Sequence, residues 1–216
     1  MKISVTKNGN VLDISKYTWD IENKIFSTKE NNLILDFSGY NNITFNTGAN
    51  CTFNTGLDCA FKTGSNCTFN TGHDCTFKTG HDCTFDTGHD CTFKTGLGCN
   101  FNTVSNCNFK TGLGCTFNTG PNCTFKTWSN CNFNTGLDCT FKTGPNCTFD
   151  TGLDCTFKTG SYCTFKTGPN CVIVRRDIFE VIQPEPNKTI KLNNYNVPGF
   201  EYIEEKKVIT IDGKDI

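Results

Sequence analysis

The chain has 216 residues, room for one large domain or one array with caps, and its composition is skewed: 20 Phe, 20 Gly and 16 Cys against 1 Met and 2 Trp. A formal net charge of −1 supplies no global field that would draw the molecule to nucleic acid or an anionic membrane. No run approaches 18 consecutive apolar residues, so no membrane span is expected.

The N-terminus, Met1-Lys2-Ile3-Ser4-Val5, has no apolar stretch behind its Lys, so no signal peptide is expected. Residues 1–34 read as a cap of mixed structure, with a strand over residues 2–6 and a turn at Asn8-Gly9-Asn10.

From residue 35 to residue 178 the chain is one octapeptide array, Cys-Thr-Phe-x-Thr-Gly-x-(Asp/Asn), as in Cys75-Thr76-Phe77-Lys78-Thr79-Gly80-His81-Asp82. Two degenerate units precede the first Cys: Leu35-Asp36-Phe37-Ser38-Gly39 and Ile43-Thr44-Phe45-Asn46-Thr47-Gly48. Leu and Ile in the Cys position imply a seat for a hydrophobe rather than for a thiol as such. Positions 1, 3 and 5 alternate with 2 and 4, the period of a strand with Cys, Phe and Thr on its inner face. Gly, a variable residue and Asp/Asn then make the corner. Val104 and Trp128 break the rule at position 6; a Val at positive φ would be a severe outlier. Either position 6 is not left-handed, or those two corners are reshaped.

Position 4 sets the coil. Lys62, Lys78, Lys94, Lys110, Lys126, Lys142 and Lys158 recur every 16 residues, with Asn or Asp between them and Lys166 as the exception. The expected fold is therefore all-β: a two-sheet β-solenoid with 16-residue coils, two octapeptides per coil, about nine coils, capped at both ends. At about 4.8 Å per rung the array would be roughly 43 Å long. Phe should meet Phe across the core while each Cys faces a Thr, and the buried Thr hydroxyls need backbone partners.

Residues 179–216 read as a β-rich cap or docking segment. Strands are expected around Thr189-Ile190-Lys191-Leu192, Tyr202-Ile203 and Val208-Ile209-Thr210-Ile211. Asp212-Gly213 is a hairpin signal with almost no second arm after it.

The architecture resembles the parallel β-roll, in which two short repeats also make one coil, and the Cys and Thr usage is similar to that of insect antifreeze β-solenoids. The unit departs from both. It lacks the Gly-Gly-x-Gly-x-Asp calcium turn, and in place of Thr-x-Thr it offers Thr68-Phe69-Asn70. Octapeptide arrays of this Cys-Thr-Phe-Lys-Thr-Gly type also resemble uncharacterised arrays of phage-like and environmental sequence; that resemblance implies no activity.

Several constellations invite a chemical reading. His73-Asp74-Cys75, His81-Asp82-Cys83 and His89-Asp90-Cys91 look like catalytic triplets, but His and Asp fall in turns while Cys points inward. His73 and His89, with Asp74 and Asp90, would stack on adjacent rungs as a candidate surface metal site; tolerated variation at position 7 is the plainer reading. A strict eight-residue Cys spacing is unlike a disulfide framework. Stacked parallel side-chain vectors fit bridge geometry poorly, so reduced, buried thiols are expected, and with them an intracellular or virion setting. The Lys column is a basic stripe that could read an anionic polymer; more often such a row keeps a sheet soluble and deters lateral pairing. The Asp residues four positions before five of these lysines are expected to dilute its field. The opposite face, with Thr52, Asn54, Thr68, Asn70, Thr84, Asp86, Thr116 and Asn118, is the candidate binding face, suited to ice or to a repetitive partner.

No paired carboxylates, activated nucleophile or phosphate loop stands out, so a non-enzymatic solenoid is expected, with no cofactor. It would serve as a structural or surface-binding protein, plausible as a phage or virus component. The alternatives are an ice-binding protein using the Thr/Asn face and a metal-binding protein using the His/Asp turns. The expected partners are a repetitive surface such as ice or a viral structural protein. Self-association through caps or sheet faces stays open, and neither membrane nor nucleic acid is expected.

Overall fold

In the computed structural model, which describes residues 3–204, 210–211 and 214–215, the array is a solenoid of two sheets, parallel through the array and reaching 13 and 12 strands with the strands of the caps. Successive strands of the chain alternate between the sheets, and each array strand pairs with the one 16 residues on: Phe85 with Phe101, Phe77 with Phe93, Lys78 with Lys94. The 16-residue coil inferred from the Lys spacing is thus the true period. No helix among the described residues is long and apolar enough to cross a membrane.

The burial pattern follows the alternation. Along Thr84–Thr87 it runs exposed, buried, exposed, buried, and Cys83 before it is fully buried. Phe rings fill the space between the sheets in a regular lattice. Phe93 stacks on Phe77 and Phe109 at 4.8 Å and meets Phe85 and Phe101 edge-on at 5.2 Å. Burial of each ring contributes about 1.5–3 kcal/mol, and each aromatic pair about 0.5–1.5 kcal/mol more. Stacked rings differ in plane by only 2–3° through the middle of the rod. Successive rungs are therefore related almost by translation, and the outer faces present straight columns. Flat sheets of this kind are unusual and rely on stacking to suppress twist.

The corners explain the rest of the motif. The left-handed residue is position 8, not the position-6 Gly: Asp74, Asp90, Asn122 and Asp138 have φ of 56–60°, and where position 8 is Gly the values are 67° at Gly98 and 69° at Gly114. Asn and Asp tolerate that region better than other side chains, which is why they fill this seat. Position 6 needs Gly because backbone stacks on backbone. A Cβ on Gly136 would lie 2.6 Å from the Pro121 nitrogen and 2.8 Å from the Gly120 carbonyl carbon. Most position-6 amides donate to the position-6 carbonyl one rung earlier, as Gly88 does to Gly72 at 3.2 Å; those of Val104, Trp128 and Gly160 do not donate to Gly88, Gly112 and Gly144. The first option for these two corners therefore holds: position 6 is not left-handed, at Val104 and Trp128 as at the glycines. The Gly136→Ala variant is expected to lose about 1–3 kcal/mol. Gly114→Asn, with open space around its Cβ, should hold stability or gain up to about 1 kcal/mol. Urea denaturation of the two variants checks the contrast; equal losses would refute this division of labour between the corner seats.

One register differs from the sequence reading. Leu35 pairs with Phe53, and Phe37 with Thr55. Leu35 therefore occupies the Phe row, Leu33 the Cys row and Phe37 the Thr row, so the first rung carries two extra residues. The strand Leu33–Phe37 buries Leu33, Leu35 and Phe37. The larger Phe37 is accommodated because it packs on Phe26 at 5.4 Å and on Phe45 at 5.1 Å. Ile43 does sit in the Cys row, since Thr44 pairs with Ala60.

Antiparallel strands close both ends. Ser4–Lys7 lies on Leu33–Phe37, and Tyr17–Asp20 on Ile25–Thr28. At the other end Thr189–Leu192 lies on Thr164–Thr167, Phe200–Tyr202 lies beyond it, and Val181–Ile182 covers Val172–Arg175. Reversing direction on short outer strands blunts the edge that a parallel stack would expose. The turn expected at Asn8-Gly9 is present, with φ of 51° and 80°, between paired Lys7 and Asn10. Thr210–Ile211 pairs with Lys214–Asp215; Lys2, Val208, Ile209, Asp212 and Gly213, named in the sequence reading, lie outside the described residues.

Candidate binding surfaces

Strand alternation sends positions 2 and 4 outward, and the axial register turns them into columns. On the 13-stranded sheet Thr52, Thr68, Thr84 and Thr116 are exposed, as are Asn54, Asn70, Asp86 and Asn118 beside them. The threonines buried in the core are a different set, those of position 5 such as Thr71 and Thr87. The amide column is linked along the axis: Asn102 Nδ2 donates to Asp86 Oδ1 at 3.1 Å and Asn118 Nδ2 to Asn102 Oδ1 at 3.2 Å. Asn100 and Asn132 replace Thr in one column, and Asp86, Asp150 and Lys166 place charges in the other.

On the 12-stranded sheet Lys62 through Lys158 form the second column, paired rung to rung. Among the described residues none of these seven lysines is ion-paired. The acids expected to dilute them, Asp58, Asp74, Asp90, Asp138 and Asp154, lie at the corner that opens each Lys strand, while the Lys sits near the corner that closes it. Four residues of strand separate them by about 13 Å, beyond the screening length of about 8–10 Å at ordinary ionic strength. At the closing corner the only carboxylate in the seven octads is Asp82.

The His/Asp group is less than a metal centre. His73 and His89 stack at 4.7 Å with rings 6° from parallel. Each shares a hydrogen bond through Nδ1 with the carboxylate of its own neighbour, Asp74 or Asp90. His81 belongs to the other corner and pairs with Asp82. Among the described residues no group of three or more His, Cys, Asp or Glu is placed to hold a metal ion. The triplets do not converge: Cys75, Cys83 and Cys91 are buried beneath these exposed pairs.

All sixteen Cys are free thiols and buried. They form two columns of eight in which each thiol faces another one rung away, and the Cys51 amide approaches Cys67 Sγ at 3.4 Å. Sγ of Cys75 also donates to the His73 carbonyl at 3.4 Å. Flanking thiols and then burial hold Cys91 and Cys99 well above the ordinary thiol range. The bond from Cys67 draws Cys51, at the end of its column, down to about 7. The position-5 Thr side chains lie in the same interior. Many, such as Thr63, donate to the next carbonyl at 3.3 Å, but those of Thr55, Thr103, Thr151, Thr159 and Thr167 have no such partner. The expectation that every buried hydroxyl finds backbone therefore fails at these five.

One feature escaped the sequence reading as a surface. Trp128, visible there only as a broken turn, is 70% exposed and lies in a groove of about 430 Å³ with Lys110, Lys126, Lys142 and Arg176. Comparison with protein-family models, curated proteins and solved structures returns no match to this chain.

Proposed function

We propose that this chain is a non-enzymatic, rigid rod that binds a repetitive surface through its Thr/Asn face, and that it serves as a structural component of a phage or virus particle. The supporting observation is the column geometry: exposed side chains held in register at the rung spacing, over a core whose rings stack within 2–3° of parallel. A periodic partner meets the same donors and acceptors at every step, so weak contacts add along the rod. The virion role rests on the resemblance of the octapeptide to phage-like arrays. Mass spectrometry of purified particles from the encoding genome is expected to detect the chain. Its absence from particles, with the chain present in the lysate, overturns the virion role.

The exposed, in-register threonines favour ice as a second reading. An ice-recrystallisation assay at micromolar protein decides it: no inhibition sinks the ice reading. If inhibition is seen, Thr68→Tyr, Thr84→Tyr and Thr116→Tyr together should abolish it while the circular dichroism of the coil is kept. The charged interruptions at Asp86, Asp150 and Lys166 weigh toward a protein partner, because they break the repeat that a crystal surface would require.

A further inference from the structure

The opposite face carries a site of its own. Residues 91–137 contain no Asp or Glu but include Lys94, Lys110 and Lys126. At the strands of Lys110 and Lys126 the opening corner, acidic at the other five, presents Asn106 and Asn122. Lys110 and Lys126 line the groove beside Trp128, and Lys142 and Arg176 join them there. Arg176 is fixed there, its amide donating to the Thr159 carbonyl at 2.8 Å and its Nη1 to the Thr143 carbonyl at 3.4 Å. Trp128 stands in a Gly seat, and its amide lacks the axial hydrogen bond that most position-6 amides make. A break of a local rule with no gain in packing points to function.

We propose that this groove and the Lys column bind single-stranded nucleic acid, one base stacking on Trp128 while the backbone phosphates follow Lys110, Lys126 and Lys142. A cationic track beside an exposed aromatic ring is the combination that single strands exploit, because an unstacked base has a free face to offer the ring. A duplex keeps its bases stacked and offers Trp128 none. The whole-chain charge of −1 conceals the site, because most acids lie at the other corner, on the Thr/Asn face and at the caps.

The test uses the full chain and fluorescence anisotropy with labelled oligo(dT), a duplex of equal length and a heparin fragment as competing probes. Oligo(dT) is expected to bind at low salt and to outcompete both others. Trp128→Gly should weaken it about tenfold, and Trp128→Phe should restore most of the loss. Lys110→Asn, Lys126→Asn and Lys142→Asn together should lower the slope of log affinity against log salt by about 2. Each Gly or Asn installs what the array already uses at that seat, so the coil is kept, as a thermal midpoint no lower than the parent's will show. Absence of binding at low salt, indifference to Trp128→Gly, or preference for duplex or heparin overturns the proposal. None of these outcomes bears on the Thr/Asn face.

Discussion

Truncating Phe93 to alanine is expected to cost about 3–5 kcal/mol, a large share of the total stability of an ordinary domain. Phe93 is 1% exposed and touches four rings, two stacked at 4.8 Å and two edge-on at 5.2 Å. The space it leaves cannot close, because axial backbone hydrogen bonds fix the rungs above and below. In a repeat protein, stability is a sum of units and nearest-neighbour contacts, so a weakened rung at mid-array also weakens the coupling of the two halves. Urea denaturation should show a lower midpoint, and a reduced slope if the halves come apart. Phe93→Leu, which keeps most of the volume, should cost less than half as much. A loss under 1 kcal/mol for Phe93→Ala would mean that the ring lattice is not what holds the coils together.

The coil was legible because one exposed position recorded it. Position 4 alternates Lys with Asn or Asp, and only a two-octad rung lines up Lys78 with Lys94. The inward set was legible from period two alone. Three features were not. The register at Leu35 was misread because Phe37 imitates position 3; that it takes the Thr row instead depends on Phe26, from a cap that no octad describes. The left-handed seat was undecided because Gly and Asp/Asn both suit positive φ, and the clash that reserves position 6 for Gly involves the neighbouring rung. The basic groove is hidden because spacing in sequence does not by itself fix proximity. Asp and Lys four residues apart would touch on a helix but stand at opposite ends of a strand.

Replacing Arg175 with methionine is expected to cost about 3–5 kcal/mol at pH 7, with the loss confined to the C-terminal cap. Arg175 is fully buried. It donates to Asp177 Oδ2 at 2.6 Å, to the Asn194 carbonyl at 2.9 Å and to the Val197 carbonyl, clamping residues 194–199 onto the last rung. Methionine fills much of the volume but leaves a buried carboxylate unpaired, the costly way to break such a pair. Hydrogen exchange should quicken over residues 172–202 and stay unchanged at mid-array, since rungs interact only with their neighbours. The pH dependence separates lost charge pairing from lost packing. Burial works to raise the Asp177 pKa, but hydrogen bonds from Arg175 and from the Asn196 amide bring it below the ordinary carboxylate value. With the folded pKa below an unfolded value of about 3.9, this group's stabilisation is fully present above the unfolded pKa. It is lost as pH falls through the folded pKa. In the variant, burial acts without the guanidinium and is opposed only by the backbone amides of Asn196 and Asp177, so the folded pKa rises and the stabilisation from Asp177 shrinks. The gap between the two proteins should therefore be widest near pH 7 and narrow as pH falls through the carboxylate range toward pH 3. A gap that stays constant over that range would assign the whole effect to packing and refute the clamp.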